Sequence, residues 1–221
     1  MCRFIETICV LEGRPQALSY HCARVGRTLA AYDDTPTAWC ASAAEELLAE
    51  AVELTLSQGT PETGRDADRQ KLRLVYRIAP ASHHTKLALE QVQLTSYSVP
   101  HIRSLRLVEG GEISYAHKSH DRSAIARLYA QRGFCDEILI TRHGRVTDSS
   151  FCNIALFDRG GWSTPAAPLL AGTRREQLLE NAEISVADIH ATELRRYTHI
   201  ALFNAMIDLG ELVLPLSAIY R

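Results

Sequence analysis

Lys118 stands at the centre of Ile113–Arg122, ISYAHKSHDR, in a 221-residue chain with only two other lysines, Lys71 and Lys86. The remainder of its 24 Lys and Arg side chains are arginine. Arginine suits most surface roles and offers a better fork for carboxylate or phosphate, but it stays protonated and forms no Schiff base. A lysine amine can, so Lys118 is a candidate nucleophile toward a carbonyl; a solvated charge beside a helix is the plainer alternative. Arg24 follows His21 by three residues, which puts both on one face of a helix. Its guanidinium can grip an anion, or simply form a surface ion pair. In LLAGTRREQLLE, Gly172 and Thr173 stand at a helix entrance, where unpaired amide donors and a hydroxyl suit phosphate or merely cap the helix. Asp148, in VTDSSFCN, lies where a strand passes into hydroxyl residues. Such a carboxylate caps a turn or holds a protonated heterocyclic nitrogen. Tyr115 and Asp121 flank Lys118 in sequence and are candidates to orient or tune it, although spacing alone shows no contact. Together these residues allow, without requiring, a lysine–phosphate–carboxylate cofactor site.

The elements that must hold them follow from pattern. Phe4–Leu11 predicts a strand, ended by the turn Glu12-Gly13-Arg14-Pro15. HCARVGRTLAAY predicts a short helix, weakened by Gly26. Across Ala41–Leu56, the residues Ala44, Leu47, Leu48, Ala51, Val52 and Thr55 recur at helical spacing, while Glu45, Glu46, Glu50 and Glu53 stay wet. QGTPETGRDADRQ reads as a loop, and APASHHT connects two strands, KLRLVYRI and LALEQVQLTSY. Beyond Pro100, SLRLVEGGEISYA carries a strand and a Gly110-Gly111 turn, and Asp121–Gln131 a helix stopped by Gly133. Ile138 and Ile140 lead into a His143-Gly144 hairpin, and Ile154–Phe157 make the next strand. A helix follows Gly172, then strands at Ile200–Ala205 and Leu212–Pro215. The boundary falls at residues 97–102, giving a smaller N-terminal α/β lobe (1–99) and a larger C-terminal lobe (100–221).

Composition excludes several classes. The chain is 46% hydrophobic and 23% charged, as in ordinary globular proteins, and 12 glycines with 8 prolines argue against extended disorder. A net charge of −2 gives no field toward nucleic acid or an acidic membrane. No run approaches 18 apolar residues, and MCRFIETICVLEG lacks the pattern of a secretory signal. The cysteines Cys2, Cys9, Cys22, Cys40, Cys135 and Cys152 form no CxxC pair, so reduced thiols in the cytoplasm are expected. The nine histidines include His83-His84 and His117/His120, but no HExxH motif, and no metal site is expected.

The ordered succession FIET, EG, HCARV, Lys118, DEILITRHGRVTDSSFCNIALF, STP and AGTRR resembles the fold-type IV pyridoxal-phosphate enzymes, from Phe4 to Val213. That family includes class IV aminotransferases and 4-amino-4-deoxychorismate lyases. The resemblance implies an α/β (α+β type) two-lobed fold with pyridoxal 5'-phosphate in the interlobe cleft, and Lys118 as the lysine that carries it. It implies that Arg24 binds the phosphate and that Asp148 pairs with the pyridine nitrogen, where the family usually has glutamate, one methylene longer. Asn153 matches the asparagine after that carboxylate. Gly172 and Thr173 match the phosphate-binding helix entrance, and Asn204 and Ala205 a second phosphate-side loop. A homodimer with a small-molecule amino substrate is implied as well.

Two departures bear on substrate. The chain starts at the family's F-x-T-like strand, without the longer extension and GDG-like turn. No RG-rich loop follows KLRLVYR, so Arg73 or Arg77 would have to meet substrate carboxylates. The N-A pair at 204–205 is closer to the lyases' N-A-L loop than to the aminotransferases' T-S-x. The leading expectation is therefore release of 4-aminobenzoate and pyruvate from 4-amino-4-deoxychorismate. Amino transfer between a D- or branched-chain amino acid and a 2-oxo acid is the alternative, and a noncatalytic binding protein a third.

Overall fold

The computed structural model describes residues 2–32, 37–57, 69–79 and 86–221. His83-His84 and most of the polar QGTPETGRDADRQ stretch lie outside the described residues. The chain forms two compact units: Met1–Ser98 with His117–Asp121, and Val99–Ala116 with Arg122–Arg221.

In the first unit, β1 (Cys2–Leu11) turns through Glu12-Gly13 into the two-residue β2 (Arg14–Pro15). Helices α1 (Leu18–Ala30) and α2 (Thr37–Ser57) follow, then β3 (Arg69–Ala79) and β4 (Lys86–Ser96). The strands form an antiparallel sheet in the order β2-β1-β3-β4. Strand period two sends alternate side chains to one face. Phe4, Ile8 and Val10 of β1 and Leu72, Leu74, Tyr76 and Ile78 of β3 thus share a core with Val25 and Leu29 of α1 and Ala44, Leu47, Leu48 and Ala51 of α2. The helical spacing of the α2 residues is what the pattern predicts. Glu6 occupies the same inward row as Phe4 and Ile8, and it is fully buried.

The segment around Lys118 joins this unit because its backbone extends the sheet interactions of β1. Ile5 N donates to Lys118 O at 2.9 Å, His120 N donates to Arg3 O at 2.9 Å, and Phe4 bridges Ser119. His117 packs edge-on against Phe4 and Tyr32, with ring centroids 6.5 and 5.7 Å away.

The second unit holds β5 (Leu105–Glu109), α3 (Ser123–Tyr129), β6 (Glu137–Arg142), β7 (Arg145–Ser149), β8 (Asn153–Asp158) and β9 (Gly161–Pro165). Then come α4 (Thr173–Glu180), β10 (Ser185–Ala187), β11 (His199–Phe203), β12 (Val213–Pro215) and β13 (Ile219–Tyr220). The main sheet runs β10-β9-β8-β7-β6-β5-β13, with β11 joining β8 to β12. The β6–β7 hairpin turns at His143 and Gly144, whose φ values of +50° and +76° are those of a two-residue primed turn. A side chain at position 144 would also strike His190, its Cβ 2.4 Å from Nε2. Ile138 and Ile140 pack with Val108, Ile125 and Leu169 in one core; Ala155, Leu178 and Phe203 form another beneath α4. Among the described residues, no helix is long and apolar enough to cross a membrane.

Candidate functional site

Strand pairing gathers one group of the expected site residues in the second unit. Asp148 at the end of β7 stands opposite Asn153 at the start of β8, and Asn153 stands opposite Phe203 of β11. The chain between Asp148 and Asn153 is a tight turn. Ser149 N donates to Cys152 O at 2.9 Å, and Ser149 Oγ accepts from Cys152 N at 2.9 Å. Glu137, itself buried, holds that turn from below by accepting from Ser150 N and Oγ at 3.2 and 2.9 Å.

Asp148 is 5% exposed. Its Oδ1 accepts from Asn153 Nδ2 at 2.8 Å and its Oδ2 from Leu170 N at 3.0 Å. These donors are neutral amides, and among the described residues no cation forms an ion pair with it. Burial pushes the carboxyl up to about 6, against hydrogen bonds from Asn153, Leu170 and Leu169 and the more distant charge of Arg175, all of which pull downward. A buried carboxylate with only amide donors is short of a positive partner.

Asn153 then ties Asp148 to the α4 entrance. Its Nδ2 also donates to Leu170 O at 2.8 Å, and its Oδ1 fills the space beside Gly172, where a Cβ would lie 2.0 Å from it. Gly172 is the residue before α4 in extended conformation (φ −73°, ψ 146°), and no side-chain bond caps the helix. Thr173, the first helical residue, is buried. Arg175, one turn in, is buried too, donating from Nε to Thr164 Oγ1 at 3.3 Å and from Nη2 to Pro165 O at 2.9 Å. This fixes α4 to β9 at the end that presents its amide donors.

Asn204 and Ala205 follow β11 in a tight turn, in which Asn204 N and O both bond Ile207. Asn204 Oδ1 accepts from Met206 N at 2.7 Å, and Nδ2 reaches Phe151 O at 3.3 Å and Cys152 Sγ at 3.2 Å. The Asn204 side chain therefore braces the Asp148–Asn153 turn. The strand expected over Ile200–Ala205 ends at Phe203 because this turn begins there.

The other group belongs to the first unit. Arg24, on α1, is 5% exposed. Its Nε donates to Glu6 Oε1 at 2.9 Å and its Nη2 to Glu6 Oε2; His21 Nδ1 meets the same Oε2 at 2.7 Å. Burial alone would raise the Glu6 carboxyl, but the Arg24 charge and the His21 contacts outweigh it and hold Glu6 well below the usual carboxylate range. His21 goes the other way: burial lowers it against the pull of Glu6, and the charges of Arg24 and Lys118 lower it further. Its Nδ1 faces the Glu6 carboxylate. Lys118 lies half-buried on the segment bound to β1.

Lys118 and Arg24 are thus in one unit, and Asp148, Gly172, Thr173, Asn204 and Ala205 in the other. The sequence reading passes over Glu6 and Arg175 as site-shaping residues. The signal for Glu6 is a lone carboxylate at an inward position of an apolar strand. Arg175 carries no such signal, because alternating surface arginines and buried ones look alike in a helix.

Each unit carries groups suited to part of pyridoxal 5'-phosphate, the cofactor of fold-type IV enzymes: a lysine amine and a guanidinium in the first, an open helix entrance and a buried carboxylate in the second. Relatives agree on the fold. An uncharacterized protein of Haemophilus influenzae is 40% identical over 116 residues, 52% of this chain and 62% of its own length. A candidate aminodeoxychorismate lyase of Schizosaccharomyces pombe is 34% identical over 88 residues, 37% of this chain and 38% of its own. The aligned parts span less than two thirds of either relative. The crystal structure of a candidate 4-amino-4-deoxychorismate lyase from Haemophilus somnus superposes with a TM-score of 0.76 at 29% identity, covering 95% of this chain and 98% of that one. The family model described as amino-transferase class IV matches residues 3–213, and the chain belongs to that family, the fold-type IV pyridoxal-phosphate enzymes.

Proposed function

We propose that the protein is a pyridoxal 5'-phosphate enzyme acting on 4-amino-4-deoxychorismate, releasing 4-aminobenzoate and pyruvate. The observation that carries the cofactor reading is Asp148, a buried carboxylate raised to about 6 with amide donors alone. A protonated pyridine nitrogen is the cation it lacks. When bound, the cofactor acts as an electron sink for a breaking substrate bond. Lys118 Nζ would hold the cofactor aldehyde, and its amine would move the proton between substrate carbons. Arg24 would hold the phosphate, with the amides at Gly172 and Thr173 and those of the Asn204-Ala205 turn as further donors. Asp148 keeps the ring nitrogen protonated, and Asn153 keeps Asp148 in place. The shorter aspartate is met from behind by Asn153 and Leu170, which fix its reach.

The lyase reading draws on the two relatives named as candidate lyases, one of them alike over nearly the whole chain. Amino transfer is the second reading, favoured by the family itself. The protein is cytoplasmic and homodimeric in this account. Borohydride reduction after cofactor addition should fix cofactor mass on Lys118; mass on Lys71 or Lys86 alone would remove the assignment. Product analysis then separates the chemistries. Formation of 4-aminobenzoate with pyruvate, lost in Lys118→Ala, is the expected result. Transfer between amino-acid/2-oxo-acid pairs without aromatic product reverses the ranking, turnover of neither removes both substrate assignments, and a binding protein would show no exchange with any amine.

A further inference from the structure

The first unit buries a carboxylate that the proposed chemistry does not use. Glu6 sits between Phe4 and Ile8 in the inward row of β1, where an apolar side chain would avoid the loss of hydration. Its two oxygens face a built set of donors. Oε1 takes Arg24 Nε at 2.9 Å; Oε2 takes Arg24 Nη2 and His21 Nδ1. The side-on pairing through Nε and Nη2 sets the plane of the guanidinium relative to α1. Thr28 Oγ1 donates to Arg24 O at 2.9 Å, fixing the backbone of the same turn.

Exposure separates the roles within the cluster. The Glu6 and His21 side chains are 0% and 1% exposed, and the Arg24 side chain 6%. A ligand reaching this cluster touches Arg24, and Glu6 acts on it only through Arg24. We propose that Glu6 is a positioning residue for phosphate recognition, holding the Arg24 fork in its binding orientation before the phosphate arrives. The inference rests on the reading of Arg24 as the phosphate group. A side chain ordered during folding need not be ordered again on binding, so the phosphate gains affinity from this arrangement. His21 supports it through the contact of its Nδ1 with Glu6 Oε2.

The test compares pyridoxal 5'-phosphate with pyridoxal, which lacks the phosphate, by equilibrium dialysis on the intact chain. The ratio of the two affinities isolates what the phosphate contributes. Arg24→Gln and Glu6→Gln are each expected to lower that ratio about tenfold or more, as for lost hydrogen bonds to charged groups. The double variant should match Arg24→Gln alone, since Glu6 works through Arg24. A Glu6→Gln protein that binds both compounds less well in equal measure, or neither less well, while Arg24→Gln lowers the ratio, overturns the inference and leaves Arg24 as the phosphate group. An unchanged ratio in Arg24→Gln removes that reading and the inference with it. Should Glu6→Gln show no cooperative thermal transition, Glu6→Asp keeps the charge and withdraws it by one methylene. It is expected to lower the ratio about threefold, and an unchanged ratio there also overturns the inference.

Discussion

Glu6 and Asp148 are both carboxylates removed from water, and they titrate in opposite directions. Glu6 holds Arg24 in a side-on fork and is kept well below the usual range. Asp148 has amide donors only and is raised to about 6. The difference lies in whether a cation is built in. The first unit supplies its own and spends it on geometry, whereas the second leaves a carboxylate whose charge is incompletely met. A structural carboxylate is expected to look like the first. One that awaits a cationic ligand is expected to look like the second.

Removing the built-in cation should make the first site behave like the second, with the largest effect. Arg24→Met leaves Glu6 buried with only His21 facing it, and the loss should be about 3–5 kcal/mol at pH 7 in urea melts. The pH dependence should also weaken. In the native protein Glu6, with its lowered pKa, contributes stability above its ordinary 4.5 that is lost as pH falls through the lower folded value. Without Arg24, burial is opposed by the His21 contacts alone, and the stability that Glu6 contributes above its ordinary value shrinks. Stability that stays within 1 kcal/mol of native would contradict the contrast.

Asp148→Asn should act in the other direction. A shift from 3.8 to about 6 corresponds to about 3 kcal/mol of instability, which appears above pH 4, where the unfolded chain ionises, and levels off above pH 6. The amide cannot accept from both Asn153 and Leu170, which takes back about 1 kcal/mol. Without cofactor, the variant should therefore be more stable than native by about 2 kcal/mol at pH 7 and lose the decline between pH 4 and 6. Lower stability at pH 7 would mean that Asp148 is already satisfied. Gly172→Ala should disturb the same carboxylate at one remove. Its Cβ falls 2.0 Å from Asn153 Oδ1, so Asn153 must leave Asp148 or the α4 entrance must shift. A loss of about 1–3 kcal/mol is expected in thermal melts, together with a further rise in the Asp148 titration.

What the sequence disclosed and withheld follows from range. The inward row of β1, the α2 stripe and the His143-Gly144 hairpin depend on neighbours in the chain, and pattern finds them. Strands β9, β10 and β13 do not; GWSTP and SVA carry weak strand preference and become strands by pairing with β8 and with each other. The site divides in the same way. Gly172-Thr173 as a helix entrance and Asp148 at a strand end are local features. The β8–β11 pairing that sets Asn204 beside the Asp148 turn joins residues about fifty positions apart, and β1 captures the Lys118 segment from more than a hundred. Neither is readable from spacing. Glu6 is the instructive case, since its apolar neighbours mark the position as inward, while the partner that makes it tolerable lies on another element.

The central question is whether Asp148 receives its cation from the cofactor. Carboxyl carbon NMR on protein labelled at aspartate, with Asp148→Asn identifying the resonance, measures this directly. Without cofactor the resonance should titrate near pH 6. With pyridoxal 5'-phosphate attached to Lys118, it should stay ionised down to pH 4 or below. A resonance that titrates at the same pH with and without the attached cofactor would contradict the assignment.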